Sequence, residues 1–210
     1  QPVLVPGDMG RCSFVLAGLE GGVYVVDSSI KKGDRERLEA GWEMVRGYID
    51  RVGALVQGLL RLVRTEERPR EAVSPIELID DVLDLYRDKA GFPSIALEKS
   101  VEDGLPAVLV ERETIHGCLA NLVTNAMDAC AWDPDLDKEH CIALSARAGG
   151  EGSVVFEVAD NGPGISEENQ KKVLSLMFTT KGLRGTGLGL LLTRKAVEQH
   201  GGRVDFESTP

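Results

Sequence analysis

The sequence predicts an α+β chain: an N-terminal helical hairpin followed by an α/β sandwich domain. Three observations predict it. Two early stretches each carry an apolar seam at helical spacing. A charged stretch with two prolines interrupts the chain after them. Beyond it, helical patterns and alternating strand patterns follow one another.

In the first seam, apolar side chains recur at Cys12, Leu16, Leu19, Val23, Val26 and Ile30, in steps of four and three. In the second they recur at Trp42, Val45, Ile49, Val52, Val56, Leu59 and Val63, again in threes and fours. That is an a/d repeat twice over, and "KKGDRE" (31–36) supplies the turn between the helices. A long, thin hairpin can bury only one seam by itself. Val15, Leu55, Leu60 and Leu62 widen the apolar face. Two hairpins forming a four-helix bundle is the natural solution, so a homodimer through residues 8–64 is expected. A monomeric hairpin packed on the second half is the alternative. Gly18, Gly21 and Gly22 lower helix propensity by up to about 1 kcal/mol each, so they either allow a close helix contact or mark a bend.

"RTEERPREAVSP" (64–75) reads as a linker. The expected organisation is a hairpin over 1–66, a linker over 67–74 and a second domain over 75–210. Charge divides the chain at nearly the same place. Residues 1–72 carry 11 Lys/Arg and 11 Asp/Glu, whereas residues 73–210 carry 13 and 23. The resulting net charge of −10 argues against broad contact with nucleic acid or an anionic membrane surface. No apolar run approaches a membrane span and no secretory signal is visible. The four cysteines show no C-x-x-C pairing and read as reduced intracellular thiols, not a zinc site. A cytoplasmic location is expected, with any sensor or anchor upstream of this fragment.

In the second half, "SPIELIDDVLDLYRDKA" opens on Ser-Pro, a good N-cap and first turn, and runs as a helix. "SIALEKS" and "AVLVE" read as short strands. "RETIHGCLANLVTNAMDACA" is a long helix with Ile115, Leu119, Leu122, Val123 and Ala126 on one face. "CIALSARA" and "SVVFEVAD" alternate like paired strands, with "GGEG" as the turn. "SEENQKKVLSLM" reads as a helix capped by Ser166, and "GRVDFEST" as a last strand. The order α β β α β β α α β implies a mixed sheet with helices on one face.

Three local patterns point to chemistry. Asn121 and Asn125 stand four apart on one helix face, where asparagine is mildly unfavourable. They could present carbonyl oxygens to phosphates through Mg2+, which wants hard oxygen ligands; buried, paired asparagines are the alternative. The strand "VVFEVAD" ends in "DNGPGI", so a carboxylate at a strand end precedes Gly-x-Gly, although Asn-Gly and Pro-Gly also make plain turns. Finally, "KGLRGTGLGL" (181–190) concentrates glycines before a helix pattern. No Lys-Ser/Thr follows them, which excludes a Walker A loop, and the spacing misses the dinucleotide fingerprint. What remains is a flexible loop, or a loop that folds over a nucleotide and opens a helix whose N-terminus favours an anion.

The order of "NLVTNAMDA" (121–129), "DNGPGI" (160–165), "FTTK" (178–181) and "GTGLGL" (185–190) resembles the ATP-binding domain of sensor histidine kinases, within the superfamily shared with Hsp90, MutL and gyrase B. "NAMDA" and "FTTK" look most like the nitrogen-regulator branch, and "HGGRVDFES" (200–208) is similar to the family's ending. The resemblance covers 75–210 and implies a fold of the Hsp90/histidine kinase type, with ATP and Mg2+ as cofactors. It implies that Asp160 accepts from the adenine amino group while Gly162 and Gly164 leave room for the base, beside Ile165. It implies too that Asn125 holds Mg2+, with Asn121 and Asp128 lining the same helix. By the same resemblance, Phe178, Thr179, Thr180 and Lys181 would belong to a short lid, and Gly185, Thr186, Gly187, Leu188 and Gly189 would shape the loop over the phosphates.

One departure stands out. A histidine kinase needs a hairpin histidine as nucleophile for the γ-phosphate. The family pattern falls on "GRCSFVL" (10–16), which puts Gly10 at the phosphoacceptor position, Arg11 at the acidic base and Phe14 four on. A second register puts Ala17 there. The three histidines, His116, His140 and His200, all lie in the second half, and His116 and His200 read as structural. The chain also stops at Pro210, before a G-T-x-F strand that the family usually adds. The expected function is the ATP-binding core of a two-component sensor histidine kinase with a degenerate or mutated phosphoacceptor site, partnered by a response regulator or another kinase. The alternative is a dimeric pseudokinase scaffold. A kinase acting in trans, as in the anti-sigma kinases, is a third reading.

Overall fold

The structure is a computed structural model that describes residues 7–63, 69–87, 95–135, 137–173, 179, 185 and 187–209. The chain divides into two units, one of residues 1–64 with 172–192 and the other of 65–171 with 193–210.

The first unit contains the hairpin: α1 (Gly7–Lys32) and α2 (Arg35–Val63). Gly33, at φ +67°, makes the turn, a conformation that glycine adopts without strain. The Asp34 carboxylate caps α2 by accepting the Arg37 N–H at 3.1 Å. Between the helices, glycines decide the spacing. A Cβ on Gly18 would strike the Tyr48 ring, and one on Gly22 would lie 3.0 Å from Val45 Cγ2. On α2, a Cβ at Gly41 would lie 2.9 Å from Val25 Cγ1. Gly18 and Gly22 therefore serve a close helix contact, whereas Gly21 faces open space. Val45, Tyr48 and Ser29 are buried in this contact.

The a/d seam fills it only in part, through Val45. Leu16, Val23, Ile30, Trp42, Ile49, Val52 and Val56 are all exposed on the single chain.

The second unit is built on a three-stranded mixed sheet. β4 (His140–Ala148) is its centre, parallel to β2 (Ile95–Val101) and antiparallel to β5 (Val154–Asp160). The predicted Gly-rich turn joins β4 to β5, closed by the Gly149 N–H donating to the Ser153 carbonyl at 2.8 Å. Alternate β4 residues Ile142, Leu144 and Ala146 turn inward, as a half-buried strand requires. They meet Leu78, Ile79, Val82 and Leu83 of α3 (Pro75–Arg87) and Ile115, Leu119, Val123 and Met127 of α4 (Arg112–Ala131). Both helices thus share one face of the sheet, and each buried aliphatic side chain contributes about 2 kcal/mol. Tyr86, at the end of α3, donates its hydroxyl to the Ala120 carbonyl of α4 at 2.8 Å.

Three differences from the sequence reading have physical causes. Glu71–Val73, inside the stretch read as a linker, forms β1 and pairs antiparallel with β3 (Val108–Val110), apart from the main sheet. That pairing joins segments far apart in sequence, which local pattern does not reveal. Within the predicted helix from Ser166, α5 (Glu167–Gln170) is helical, residues 174–177 lie outside the described residues, and Ser166 receives Asn169 and Gln170 N–H groups on its carbonyl, with no side-chain cap. The predicted strand "GRVDFEST" is not regular. Ser208 instead takes the Ile165 N–H on its hydroxyl at 2.8 Å and the Gln170 amide on its carbonyl at 2.9 Å. Side-chain bonds there stand in for a ladder.

Candidate functional site

α4 presents three of the expected polar residues along one side. Asn121, Asn125 and Asp128 are spaced four and three apart, so their side chains follow one another up the same face. All three are half-buried. The Asn121 amide nitrogen donates to Thr193 Oγ1 at 3.1 Å. Thr193 is itself buried and belongs to α6 (Gly189–Gln199), and Cys118, one turn below Asn121, places its sulfur 4.0 Å from the Thr193 carbonyl oxygen.

Against the last turn of α4 lies the loop that follows β5. β5 ends at Asp160, whose Oδ1 accepts the Gly162 N–H at 2.9 Å. Asn161 continues the ladder with its side chain: Oδ1 accepts the Cys141 N–H at 2.9 Å and Nδ2 donates to the Glu139 carbonyl at 2.9 Å. A Cβ on Gly162 would lie 2.8 Å from Asp160 Oδ1 and 3.1 Å from Ala129 Cβ, so only glycine lets the loop seat on α4 here. Gly164 has φ +69°, which also favours glycine. Ile165 is held on both sides of its peptide, by Ser208 and by Gln170, whose amide donates to the Ile165 carbonyl at 2.8 Å. Asp160 is thereby fixed at a strand end, beside a loop with little freedom.

Burial and neighbouring charge shape the thiols beneath. Cys130 is pushed up to about 11 by burial first and by the Asp160 charge second. Cys118 is pushed to about 11 by burial. Neither is a nucleophile at neutral pH.

The structure brings together Asn121, Asn125, Asp128, Asp160, Gly162, Gly164 and Ile165 in the second unit. Thr179, Gly185, Gly187, Leu188 and Gly189 fall in the first unit. There Gly187 has φ +67°, and Leu188 is buried, its carbonyl accepting the Leu192 N–H at 2.9 Å. A Cβ at Gly58 would lie 2.5 Å from Leu188 Cδ1. The glycines do lead into a helix: the first N–H groups of α6 precede its first internal bond, as in an anion-binding helix start. Phe178, Thr180, Lys181 and Thr186 lie outside the described residues. Gly10 lies in α1, and Ala17 is exposed on the same helix.

His200 ties α6 to α4. Its Nδ1 lies 2.7 Å from the Ala196 carbonyl oxygen and its Nε2 accepts the Glu111 N–H at 3.1 Å, so the ring is a structural bridge.

The family described as histidine kinase-, DNA gyrase B-, and HSP90-like ATPase matches residues 111–210. The catalytic domain of the histidine kinase ThkA is 31% identical, with a TM-score of 0.53 over 63% of this chain and 82% of that one. The chain belongs to the histidine kinase family. The sensor histidine kinase ZraS of Klebsiella oxytoca is 34% identical over 161 residues, 77% of this chain and 33% of the relative. The chain thus spans about a third of that curated relative. Its fold is shared by ThkA in a complex with the response regulator protein TrrA, at TM-score 0.67 and 23% identity over 92% of this chain and 55% of that one. Among the described residues no helix is long and apolar enough to cross a membrane.

Several residues of this candidate site escape a sequence reading. Asn161, Ala129, Thr193 and Ser208 act through contacts with distant segments. Asn161 alone carried a signal, as the second residue of "DNG", but that dipeptide reads equally as a turn.

Proposed function

We propose that this chain is the nucleotide-binding and dimerisation core of a cytoplasmic two-component sensor histidine kinase, and that it binds ATP with Mg2+ without phosphorylating itself. One observation carries the reading: a strand-end carboxylate, Asp160, held by the Gly162 N–H against the asparagine helix. The residues fit the nucleotide. Asp160 carries two oxygens and only Oδ1 receives Gly162, so the carboxylate has acceptor capacity for an adenine amino group. The close approach of Gly162 to Ala129 makes a floor for the base. Asn125 offers a hard carbonyl oxygen suited to Mg2+, with Asn121 and Asp128 beside it on α4. The N–H groups that open α6, after Gly185, Gly187 and Leu188, are donors suited to phosphate oxygens. In this reading Thr179 belongs to the lid with Phe178, Thr180 and Lys181, and Thr186 to the phosphate loop.

Bound ATP supplies a transferable γ-phosphoryl group. The chain's own residues orient the base, neutralise and position the phosphates, and exclude water; they offer no imidazole in the hairpin, because Gly10, or Ala17 in the second register, stands at the acceptor position. Homodimerisation through residues 8–64 is supported by the exposed a/d seam of α1 and α2. A response regulator or a partner kinase is the proposed protein partner, as ThkA binds TrrA. The missing hairpin histidine favours one second reading, a dimeric pseudokinase scaffold that regulates such a partner.

Incubation with γ-labelled ATP and Mg2+, with calorimetry alongside, tests this. The expected result is binding without stable label. Asp160→Asn should weaken binding on the order of tenfold to a hundredfold, as expected for loss of a charge-assisted hydrogen bond. Gly10→His should restore acid-labile label if that register is right. Absence of nucleotide binding sinks the ATP reading and leaves the scaffold.

A further inference from the structure

The stretch after α4, residues 132–140, reads "WDPDLDKEH" to the first residue of β4 and is strongly acidic, with one lysine. By composition it is a solvated loop. Its carboxylates and its lysine are not placed as a solvated loop would place them. The Asp133 side chain is only 5% exposed, and Lys138 Nζ lies 3.1 Å from its Oδ2. Asp133 Oδ1 accepts the Asp135 N–H at 3.1 Å, so both carboxylate oxygens are engaged. That backbone bond, with Lys138 contributing, holds the Asp133 carboxyl below the ordinary range, so it is ionised at neutral pH.

Lys138 also reaches across the fold. Its Nζ lies 3.4 Å from the Gly162 carbonyl oxygen, 24 residues away in sequence. Gly162 is therefore held from both of its peptide units: the N–H donates to Asp160 Oδ1 and the C=O faces the ammonium. Cys130 feels the charges of Asp160, Lys138 and Asp133 together, which places the three within one electrostatic neighbourhood.

We infer that Lys138, anchored by Asp133, is a positioning residue of the adenine subsite: it fixes the Gly162 peptide and thereby the carboxylate that reads the base. The inference rests on the nucleotide reading above and names the device that sets its affinity. An ammonium on the carbonyl of Gly162 restricts rotation of the loop, so Asp160 is pre-organised before nucleotide arrives. Pre-organisation lowers the ordering cost of binding. A surface lysine in a mobile acidic loop would do neither.

The test uses the full chain and ADP as probe, with two readouts. Calorimetry measures affinity, and amide hydrogen exchange without nucleotide reports the Gly162 N–H directly. Lys138→Met should weaken ADP binding about tenfold, the loss of one charge-assisted contact, and speed Gly162 exchange with exchange in α4 unchanged, while Tm falls because Asp133 keeps a buried charge without its lysine. Lys138→Arg should recover most of the affinity. Lys138→Met combined with Asp133→Asn removes the buried carboxylate that the single change leaves unpaired, and should show the same affinity loss in a secure fold. Unchanged ADP affinity in both Met variants overturns the inference, as does an affinity loss with Gly162 exchange unaltered. If the unaltered chain binds no ADP, the nucleotide reading fails and the inference falls with it; if it binds and the Met variants bind equally, the inference alone fails.

Discussion

Cys118 shows how one buried residue makes stability depend on pH. Its thiol sits under the Thr193 carbonyl and is pushed from an ordinary value of 9.0 up to about 11 by burial. In the unfolded chain the thiol ionises first, so folding must keep it neutral as pH rises. The folded pKa is raised; the stability it carries is complete below about 9 and is lost as pH climbs toward about 11. The Tm advantage of the native chain over Cys118→Ala should therefore shrink between about pH 8 and about pH 11. A constant gap across that range would mean the thiol is not desolvated. At the same scale, Asp160 and Asn125 were legible from type and spacing, because a carboxylate at a strand end and asparagines four apart are patterns written locally. Asn161 was not, because its two side-chain bonds go to Glu139 and Cys141 on another strand.

At the scale of elements, the hairpin separates glycines that look alike in sequence. Gly18 meets Tyr48, whereas Gly21 meets nothing within 4 Å. Gly18→Ala should therefore destabilise the hairpin, because Tyr48 is buried and its ring has to move. Gly21→Ala should stabilise it by about 0.5–1 kcal/mol through helix propensity alone. Urea unfolding of the two variants checks the opposite signs; a shared sign would refute the close contact. The helix and strand segments themselves were readable: α4 and the β4–β5 pair lie where periodicity put them. The segment from 202 to 209 was not, since alternation cannot say whether a strand finds a ladder or only side-chain anchors at Ser208.

At the scale of the whole molecule, the apolar seam of α1 and α2 leaves large aliphatic side chains exposed on the single chain. Leu16, Ile30 and Ile49 of the seam are 58%, 62% and 54% exposed, and Leu60 beside it is 65% exposed. Contiguous exposed aliphatics of this kind mark an association surface. A second hairpin would cover them in a four-helix bundle. Ile49→Glu should convert a dimer to a monomer in sedimentation velocity while leaving the second unit folded. A native chain that sediments as a monomer at all concentrations would refute the dimer.

The sequence by itself determined most of the succession of elements, the inward face of α4, and the residue types available to a nucleotide. These are local properties: side-chain period follows backbone geometry, and a glycine loop before a helix carries its donors with it. Only the tertiary structure decided that β1 pairs with β3, that much of the seam faces outward while glycines close the hairpin, and that Lys138 reaches Gly162. Each of these joins segments distant in sequence. Such contacts form where burial and charge bring the segments together in space, and no period along the chain encodes that meeting.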